Sequence, residues 1–371
     1  MRVLMVSKAC VVGAYQKKLE ELARLPGVDL TVVVPPKWRD PSGTLLLEHQ
    51  HTRGYDLVVL PCAFNGSYHL HFYPGLGRLL RRLRPDLVHL DEEPYNLATA
   101  HGLRLARRCG AKTVFFSWQN ILRHYPMPFS LLEWGVLRSA DAGIVGNQES
   151  LEVWRAKGYR GLLAVIPQFG VDPDLYSPPA GGRPREPGQE LVIGFVGRLV
   201  PEKGVDVLLD ALSALAHPWR ALLAGGGPAR LDMERQAQRL GLSGRVEFRG
   251  PLPSSQMPAF YSGLDVLVLP SRTRPNWKEQ FGRALIEAMA CGAVVVGSDS
   301  GEIPNVIGDA GLVFPEGQPA QLRALLERLA GDAGLCSELS ERGRRRVLAH
   351  YTQAAVAAGT HEVYSAVLKA R

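Results

Sequence analysis

The sequence predicts an α/β protein with two domains, each built around a parallel β-sheet. In both halves of the chain, short apolar runs of strand type alternate with segments of helical length, which is typical of βαβ units. The length of 371 residues exceeds what one hydrophobic core usually serves. A stretch rich in proline and glycine, Tyr176–Glu190, separates the two series. We therefore expect one domain over residues 1–180 and a second over residues 181–350.

The first half opens with a strand at residues 2–6, and a helical pattern runs from Tyr15 to about Leu25. Further strand-type runs occupy residues 30–34, 57–60, 87–90, 113–116, 139–145 and 165–167. Residues 76–84 place leucines on one helical face and arginines on the other. We assign the arginine face to solvent, and contact with an anionic membrane is the alternative.

Composition excludes several classes of protein. Hydrophobic residues make up 46% of the chain and charged residues 21%, as in ordinary folded domains. No apolar run approaches the ~20 residues of a membrane span. The N-terminal apolar run is too short before Lys8 for a signal peptide, so we expect a cytoplasmic protein. Five scattered cysteines without a Cys-x-x-Cys motif predict reduced thiols and no structural zinc.

Positive charge is concentrated in the first half. Residues 1–180 hold 21 Lys and Arg against 16 Asp and Glu, which is most of the formal net charge of +7. This excess suits a peripheral contact with the anionic inner face of a membrane, and the alternative is ordinary solubilising charge. The excess is modest for the length of the chain, and we expect no nucleic-acid partner.

Loops after the strands of the second half carry features of an anion site. The strand-type runs there occupy residues 191–196, 220–224, 246–248, 266–269 and 293–297. Ligands of open parallel sheets bind beyond the carboxyl ends of the strands. The first of these loops places Arg198 and Lys203 around a helix start, which suits a diphosphate. The second loop is the glycine triplet 225–227, which permits a close approach of the backbone to a ligand.

The stretch from Leu269 to Asn305 carries two carboxylates around a predicted amphipathic helix. Its apolar stripe consists of Phe281, Ala284, Leu285, Ala288 and Met289. Glu279 lies at or just before the first turn and Glu287 lies off the stripe, so neither carboxylate is expected to enter the core. At 1.5 Å per residue they are roughly 12 Å apart, too far to act on one bond but suited to an elongated ligand. A nucleoside diphosphate-sugar would also use the helix N-terminus; an ordinary solvated helix is the alternative.

These marks, in this order and spacing, resemble those of the retaining glycosyltransferases of family 4. The marks are Gly197-Arg198 with Lys203, Pro270-Ser271, Glu279-x7-Glu287 around Phe281-Gly282, and Ser-Gly-Glu-Ile-Pro at 300–304. The resemblance implies the GT-B architecture, in which two Rossmann-like domains face each other across a cleft. It also implies transfer of a sugar from a nucleoside diphosphate-sugar, with retained anomeric configuration, to a glycan, lipid-linked or small-molecule acceptor.

The resemblance assigns roles to individual residues. Arg198 and Lys203 would neutralise the diphosphate, Glu279 would contact the donor sugar, and these three form the expected catalytic set. Glu287 would hold the ribose hydroxyls. The other expected donor-binding residues are Gly13, Gln119, Gly197, Gly226, Leu252, Phe281 and Gly282. With two cations at the diphosphate, no metal or other cofactor is expected.

Three positions depart from the family pattern. The first turn holds one glycine, Gly13, where two are common, and Asn305 stands where a Glu is common. Gln119-Asn120 stands where a His-Asp pair is common. Because glutamine cannot act as a general base near neutral pH, this favours front-face transfer, in which the leaving phosphate takes the acceptor proton.

Two other functions stay open at this point. One is a GT-B nucleotide-sugar epimerase, and the other is a non-catalytic protein that binds a nucleotide-sugar as a scaffold. Asp172-Pro173-Asp174 resembles an Asp-x-Asp metal motif, but its proline and the stretch that follows predict a turn. The C-terminal segment 351–371 is expected to form a helix that packs back on the first domain.

Overall fold

The computed structural model describes residues 1–40, 43–180 and 189–370, so part of the predicted linker, residues 181–188, lies outside the described residues. The chain forms two compact units. The first comprises Met1–Gly170 together with the C-terminal segment from Gln353, and the second comprises Val171–Thr352. Within the described parts of the chain, no helix is long and apolar enough to cross a bilayer.

The first unit is built on a parallel sheet. The strands of this unit are β1 (Arg2–Val6), β2 (Asp29–Val34), β3 (Lys37–Asp40), β4 (Gly43–Leu46), β5 (Asp56–Val59), β6 (Leu87–Leu90), β7 (Lys112–Ser117), β8 (Ala142–Val145) and β9 (Leu162–Val165). In the part of the chain that the structure describes, all of them except β3 and β4 form one seven-stranded sheet, in the order β5-β2-β1-β6-β7-β8-β9. The helices are α1 (Lys17–Ala23), α2 (Leu76–Leu83), α3 (Leu97–Arg108), α4 (Phe129–Ser139) and α5 (Gln148–Ala156).

The second unit is built on another parallel sheet. Its strands are β10 (Leu191–Val196), β11 (Trp219–Ala224), β12 (Val246–Gly250), β13 (Val266–Leu269), β14 (Val294–Ser298) and β15 (Leu312–Phe314). These six strands, counted over the described residues, run in the order β12-β11-β10-β13-β14-β15. The helices are α6 (Val205–Ser213), α7 (Arg230–Arg239), α8 (Met257–Ser262), α9 (Arg283–Ala290), α10 (Ile303–Ile307), α11 (Pro319–Gly331) and α12 (Ala333–His350).

The last helix, α13 (Gln353–Lys369), belongs to the first unit. It packs against α1 and covers β7 and β8. Its buried side chains include Ala357, Val363 and Tyr364, which share a core with Leu19 and Leu22 of α1. The opposite face of the sheet is covered by α2 and α3, and this two-sided cover explains why the central strand β6 is buried along its whole length.

The sequence pattern did not reveal an antiparallel hairpin between β3 and β4. Lys37 pairs with Leu46 and Asp40 with Gly43, outside the main sheet. Trp38 is buried and meets the rings of Tyr68 and His71 edge-on. The hairpin is therefore anchored by one aromatic side chain and not by an alternating strand pattern.

The division between the units falls at Gly170 and Val171, ahead of the predicted boundary near residue 180. Residues 171–180 are tied to the second unit by hydrogen bonds. Arg344 donates to the carbonyl oxygens of Tyr176 and Pro173, and Ser262 Oγ donates to that of Ser177. The proline-rich composition of this segment thus begins inside the second unit.

Candidate functional site

A cavity of about 450 Å³ lies within the second unit, at the carboxyl ends of β10 and β13. Its lining residues are Tyr176, Val196, Lys203, Leu252, Ser254, Met257, Tyr261, Leu269, Glu279, Gly282, Arg283, Ala284 and Glu287. Five of them are predicted site residues, separated by up to 84 positions in sequence: Lys203, Leu252, Glu279, Gly282 and Glu287. The side chains of Lys203, Glu279 and Glu287 and the N-terminus of α9 therefore line the same cavity.

Glu279 lies in the loop before α9 and is buried, with 7% of its surface exposed. Its Oε2 accepts hydrogen bonds from Lys203 Nζ at 2.5 Å and from Ser271 Oγ at 2.9 Å. The expectation that neither carboxylate enters the core is wrong for this residue. Its charge is tolerated in the interior because a cation and a hydroxyl both compensate it.

Glu287 lies in α9 and is also buried, at 6% exposure, so the expectation fails here as well. Tyr261 OH donates to its Oε2 at 2.8 Å, and Arg283 Nε donates to its Oε1 at 2.7 Å. Both carboxylate oxygens are therefore fixed in orientation, with each oxygen retaining a further lone pair for a ligand.

Lys203 ends a short 3-10 turn, Pro201–Lys203, before α6. Its ammonium group lies between the carboxylate of Glu279 and the ring of Trp277, whose centroid is 5.0 Å away. The next residue, Gly204, has a φ of 67°, and a Cβ there would lie 1.9 Å from the carbonyl oxygen of Pro270. Only glycine fits this close approach, which brings the lysine turn against the loop that carries Glu279.

Helix α9 points its N-terminus into the cavity through Gly282, Arg283 and Ala284. Gly282 caps the helix with a φ of 78° and contributes no side chain, so the positive end of the helix dipole faces the cavity. The predicted stripe began at Phe281, but the helix begins two residues later. Phe281 is buried and meets the ring of Tyr351 at 5.7 Å, so its side chain packs in the core and does not line the cavity.

The remaining predicted residues of the second unit lie on the neighbouring strand-end loops. Gly197 N–H donates to the carbonyl oxygen of Ala224, and a Cβ on Gly225 would lie 1.8 Å from the Gly197 carbonyl oxygen. Gly226 accepts a backbone hydrogen bond from the loop after β10 and packs against Pro251. Arg198 is exposed and does not line the cavity.

Comparison with protein families decides the identity of the chain. Residues 182–346 match the family described as glycosyl transferases group 1, and residues 13–168 match the glycosyl transferase 4-like domain. Together the two matches cover most of both units. The chain belongs to the group 1 glycosyltransferases. This confirms the resemblance inferred from the motifs and the prediction of a sugar-transferring enzyme.

Proteins similar to this glycosyltransferase carry names that specify different acceptors. The 2-deoxystreptamine glucosyltransferase of Streptomyces kanamyceticus is 31% identical, over 69% of this chain and 70% of the relative. The D-inositol 3-phosphate glycosyltransferase of Salinispora arenicola is 31% identical, over 54% and 49% of the two chains. A phosphatidylinositol monomannoside mannosyltransferase of Mycolicibacterium smegmatis, described as GDP-mannose-dependent, is 33% identical, over 55% and 57%. The matched region thus spans only about half of the last two relatives.

Solved structures of glycosyltransferases share the fold. Anabaena HepE, solved in complex with UDP, matches with a TM-score of 0.74 at 20% identity, over 99% of this chain and 100% of HepE. A glycosyltransferase from Rickettsia africae matches with a TM-score of 0.74 at 18% identity, over 100% and 99%. The prediction of two Rossmann-like α/β domains of the GT-B type is confirmed.

In the first unit of the glycosyltransferase, the two residues predicted to contact the donor, Gly13 and Gln119, already form hydrogen bonds within the protein. Gly13 N–H donates to Glu48 Oε2 at 2.6 Å, and Gln50 fills the space beside its Cα. Gln119 is buried, and its Nε2 donates to the carbonyl oxygen of Ile121 at 3.0 Å. Each residue would have to exchange such a partner to contact a sugar.

The acidic run 91–93 follows a strand, and the sequence allows it either to face the acceptor or to form a capped turn; in the structure Glu93 secures the turn that carries Gln119. Ser117 Oγ donates to Glu93 Oε2 at 2.5 Å, and Trp118 N–H donates to its Oε1 at 2.7 Å. Burial raises the pKa of Glu93 to about 7. What the sequence does not show is the bond of Glu93 to the turn after β7, although its place after a strand puts it at the ligand-binding edge of the parallel sheet.

The partners of Glu287 were also missed. Arg283 lies four residues before it on one helical face, a spacing that predicts an ion pair. Tyr261 belongs to α8, and no local pattern joins it to Glu287. Across residues 1–40, 43–180 and 189–370, no group of three or more His, Cys, Asp or Glu residues is arranged to hold a metal ion. Asp172, in the Asp-x-Asp sequence, accepts from the backbone N–H of Asp174 in a turn, as predicted.

Proposed function

We propose that this glycosyltransferase binds a nucleoside diphosphate-sugar in the cavity of the second unit and transfers the sugar, with retention, to an acceptor hydroxyl. The supporting observation is the arrangement along one cavity of Lys203, the N-terminus of α9 and the carboxylates of Glu279 and Glu287. A cation and helix amides suit a diphosphate, and buried carboxylates suit sugar hydroxyls.

In this proposal Lys203 and Arg198 neutralise the leaving diphosphate. Negative charge develops there in the transition state, so cations at that point lower the barrier most. Lys203 is held in the cavity by Glu279 and Trp277. Arg198 is exposed at the end of β10 and would move to reach the second phosphate. The two cations and the helix dipole supply the charge that a metal ion would otherwise bring, so we propose that transfer requires none.

Glu287 would accept hydrogen bonds from the ribose, and Glu279 would accept them from the donor sugar. Both carboxylates are fixed before the ligand arrives, by Tyr261 and Arg283 in one case and by Lys203 and Ser271 in the other. Such preorganisation lowers the entropic cost of binding.

The proton balance follows from the lack of a histidine at position 119. The acceptor oxygen attacks the anomeric carbon on the face that the diphosphate leaves, and a phosphate oxygen takes the acceptor proton as the bond to the leaving group breaks. Gln119 would donate a hydrogen bond to a sugar hydroxyl, and the turn at Gly13 would approach the donor once Glu48 is displaced.

The named relatives act on hydroxyl-rich acceptors, which supports a glycan, a lipid-linked sugar or a small polyol here. We place the reaction in the cytoplasm.

A donor screen tests this proposal. Purified protein is tested for thermal stabilisation by UDP-, GDP- and ADP-sugars and for their slow hydrolysis, with Glu279→Ala and Lys203→Ala as site variants. Glu247→Ala is the matched control, because Glu247 is an exposed carboxylate on β12 away from the cavity. We expect one donor to stabilise and to be hydrolysed by the wild type and the control only, and chelation of divalent metal to leave hydrolysis unchanged. Stabilisation by no donor would contradict the proposal.

A further inference from the structure

Large apolar side chains are exposed on two segments of the first unit. Of the sixteen such side chains among the described residues, seven lie within residues 64–70 and 122–134, a small part of the chain. We call this set the apolar patch: Phe64, Tyr68, Leu70, Leu122, Met127, Leu131 and Trp134. Contiguous exposed apolar surface on a folded protein marks a contact site.

The two segments touch each other. The ring of His69 lies 5.1 Å from that of Phe129 and 6.0 Å from that of Tyr125. One segment follows β5 and the other follows β7, so both lie beyond the carboxyl ends of the strands, where open parallel sheets bind ligands. The two segments that carry the patch are therefore neighbours, at the edge of the sheet where ligands bind in this class of fold.

Helix α4 exposes large apolar side chains to solvent, whereas an amphipathic helix usually packs its apolar face against the core. Leu131 and Trp134, spaced i and i+3, are each 54% exposed, while Val136 faces the core. Arg138 places its guanidinium 4.6 Å from the ring of Trp134. Tryptophan and arginine on one exposed apolar helix face are the composition of a helix that lies in a bilayer interface.

The charged residues around the apolar patch indicate which kind of surface it binds. The second segment contains Arg123 and one acid, Glu133, and Arg138 follows the segment in the last turn of α4. That acid is neutralised by an ion pair with Lys157. Apolar side chains surrounded by net positive charge complement an anionic lipid surface, which takes up the apolar groups and attracts the arginines.

We propose that the apolar patch docks the glycosyltransferase on an anionic lipid membrane. Leu131, Trp134 and Met127 enter the boundary between headgroups and acyl chains, and Arg123 and Arg138 lie at the level of the lipid phosphates. If the docked protein transfers a sugar as proposed above, its acceptor is lipid-linked. That consequence rests on the proposed function, whereas membrane docking does not.

Vesicle sedimentation of the full chain without donor tests the docking. The vesicles contain equal parts of phosphatidylglycerol and phosphatidylcholine, or phosphatidylcholine alone. Leu131→Asp and Trp134→Asp alter the patch; Leu231→Asp is the matched control, a 63% exposed leucine on α7 of the second unit. Thermal unfolding checks that each variant is folded.

We expect the wild type and Leu231→Asp to sediment with the anionic vesicles and less with the neutral ones. Each patch variant should bind about tenfold less tightly, because it removes an inserted apolar group. Arg138→Gln should weaken binding to anionic vesicles only, and salt should weaken the wild type. The proposal is overturned if the wild type does not bind, if all variants bind alike, or if the wild type self-associates through the patch and Trp134→Asp is monomeric. Because no donor is present, failure here would leave the proposed function untouched.

Discussion

Glu287 carries two protein hydrogen bonds before any ligand binds, and the one from Tyr261 crosses from a different helix. Tyr261 is fully buried in the second unit, and its hydroxyl lies 2.8 Å from the carboxylate. Burial, followed by the charge of Glu287, raises the pKa of the phenol well above its usual value, so it stays a hydrogen-bond donor. It therefore acts as a positioning residue for the carboxylate that we assign to the ribose.

Tyr261→Phe is predicted to weaken donor binding about tenfold with little change in kcat. The reason is that a hydrogen bond to a charged group contributes about 1.5–3 kcal/mol, and its loss frees the carboxylate to rotate. Calorimetry with a ribose donor and with its 2′-deoxy analogue measures the effect, which should be much smaller for the analogue. Tyr159→Phe, which removes a buried hydroxyl in the first unit, is the control. Equal losses for both donors would assign Tyr261 a purely structural role.

Glu93 gives a prediction about pH. Its pKa is raised from 4.5 to about 7 by burial, so the unfolded chain releases the proton first as pH rises. The contribution of Glu93 to stability is therefore lost progressively between about pH 4.5 and about pH 7 and is constant above that range. Over this window the wild type should lose about 3 kcal/mol relative to Glu93→Gln.

Urea unfolding from about pH 4 to about pH 8 measures this difference. Glu93→Gln keeps an acceptor for Trp118 N–H and a donor for Ser117, so it mimics the protonated acid. Glu152→Gln, an exposed glutamate of α5, should follow the wild type at each pH. Parallel stability curves for the wild type and Glu93→Gln would show that Glu93 does not titrate in this range.

At the scale of elements, α13 completes the core of the first unit from the far end of the chain. The hydroxyl of Tyr364 lies 2.7 Å from Nδ1 of His89 in the central strand β6, and both side chains are fully buried. Burial lowers the pKa of His89 well below its usual value, so the ring is neutral and pairs with the tyrosine without an ionic cost. The helix is thus part of the fold and not an appendage.

Tyr364→Ala is predicted to lower the free energy of unfolding by about 3–5 kcal/mol, because it leaves a cavity and an unpaired histidine. Glu362→Ala, an exposed position on the same helix, should change it by less than about 0.5 kcal/mol. Denaturant unfolding provides the measurement. Ending the chain after Thr352 should destabilise the first unit even more; a truncated chain of full stability would refute this role of α13.

At the scale of the whole molecule, the sequence predicted the alternation of strands and helices and the strand-end loops of the second unit. The positions of Lys203, Glu279 and Glu287 followed from the register of a parallel sheet, because its carboxyl ends meet at one edge. Burial of the two carboxylates did not follow, since it depends on partners from other elements, such as Tyr261. The β3–β4 hairpin, held by Trp38, likewise has no local pattern.

The first-unit part of the candidate site was less predictable for the same reason. Gly13 was recognised as a turn after β1, but its amide is occupied by Glu48, which arrives from beyond the hairpin. Glu93 lies 24 residues from Ser117, its hydroxyl partner, and only the pairing of β6 with β7 brings them together. Contacts between elements set these details, and a single sequence does not specify them by spacing.

The most direct test of the proposed diphosphate site is the affinity of the donor's nucleoside diphosphate for the wild type and for Lys203→Ala. Calorimetry with the diphosphate and with the free nucleoside separates the phosphate contact from the rest of the site. We predict that Lys203→Ala binds the diphosphate at least about tenfold more weakly, because it loses a charge-assisted contact and leaves the negative charge of Glu279 to repel the ligand. The affinity for the nucleoside should stay within about twofold. Unchanged affinity for the diphosphate would mean that the cavity of the second unit does not hold the leaving group.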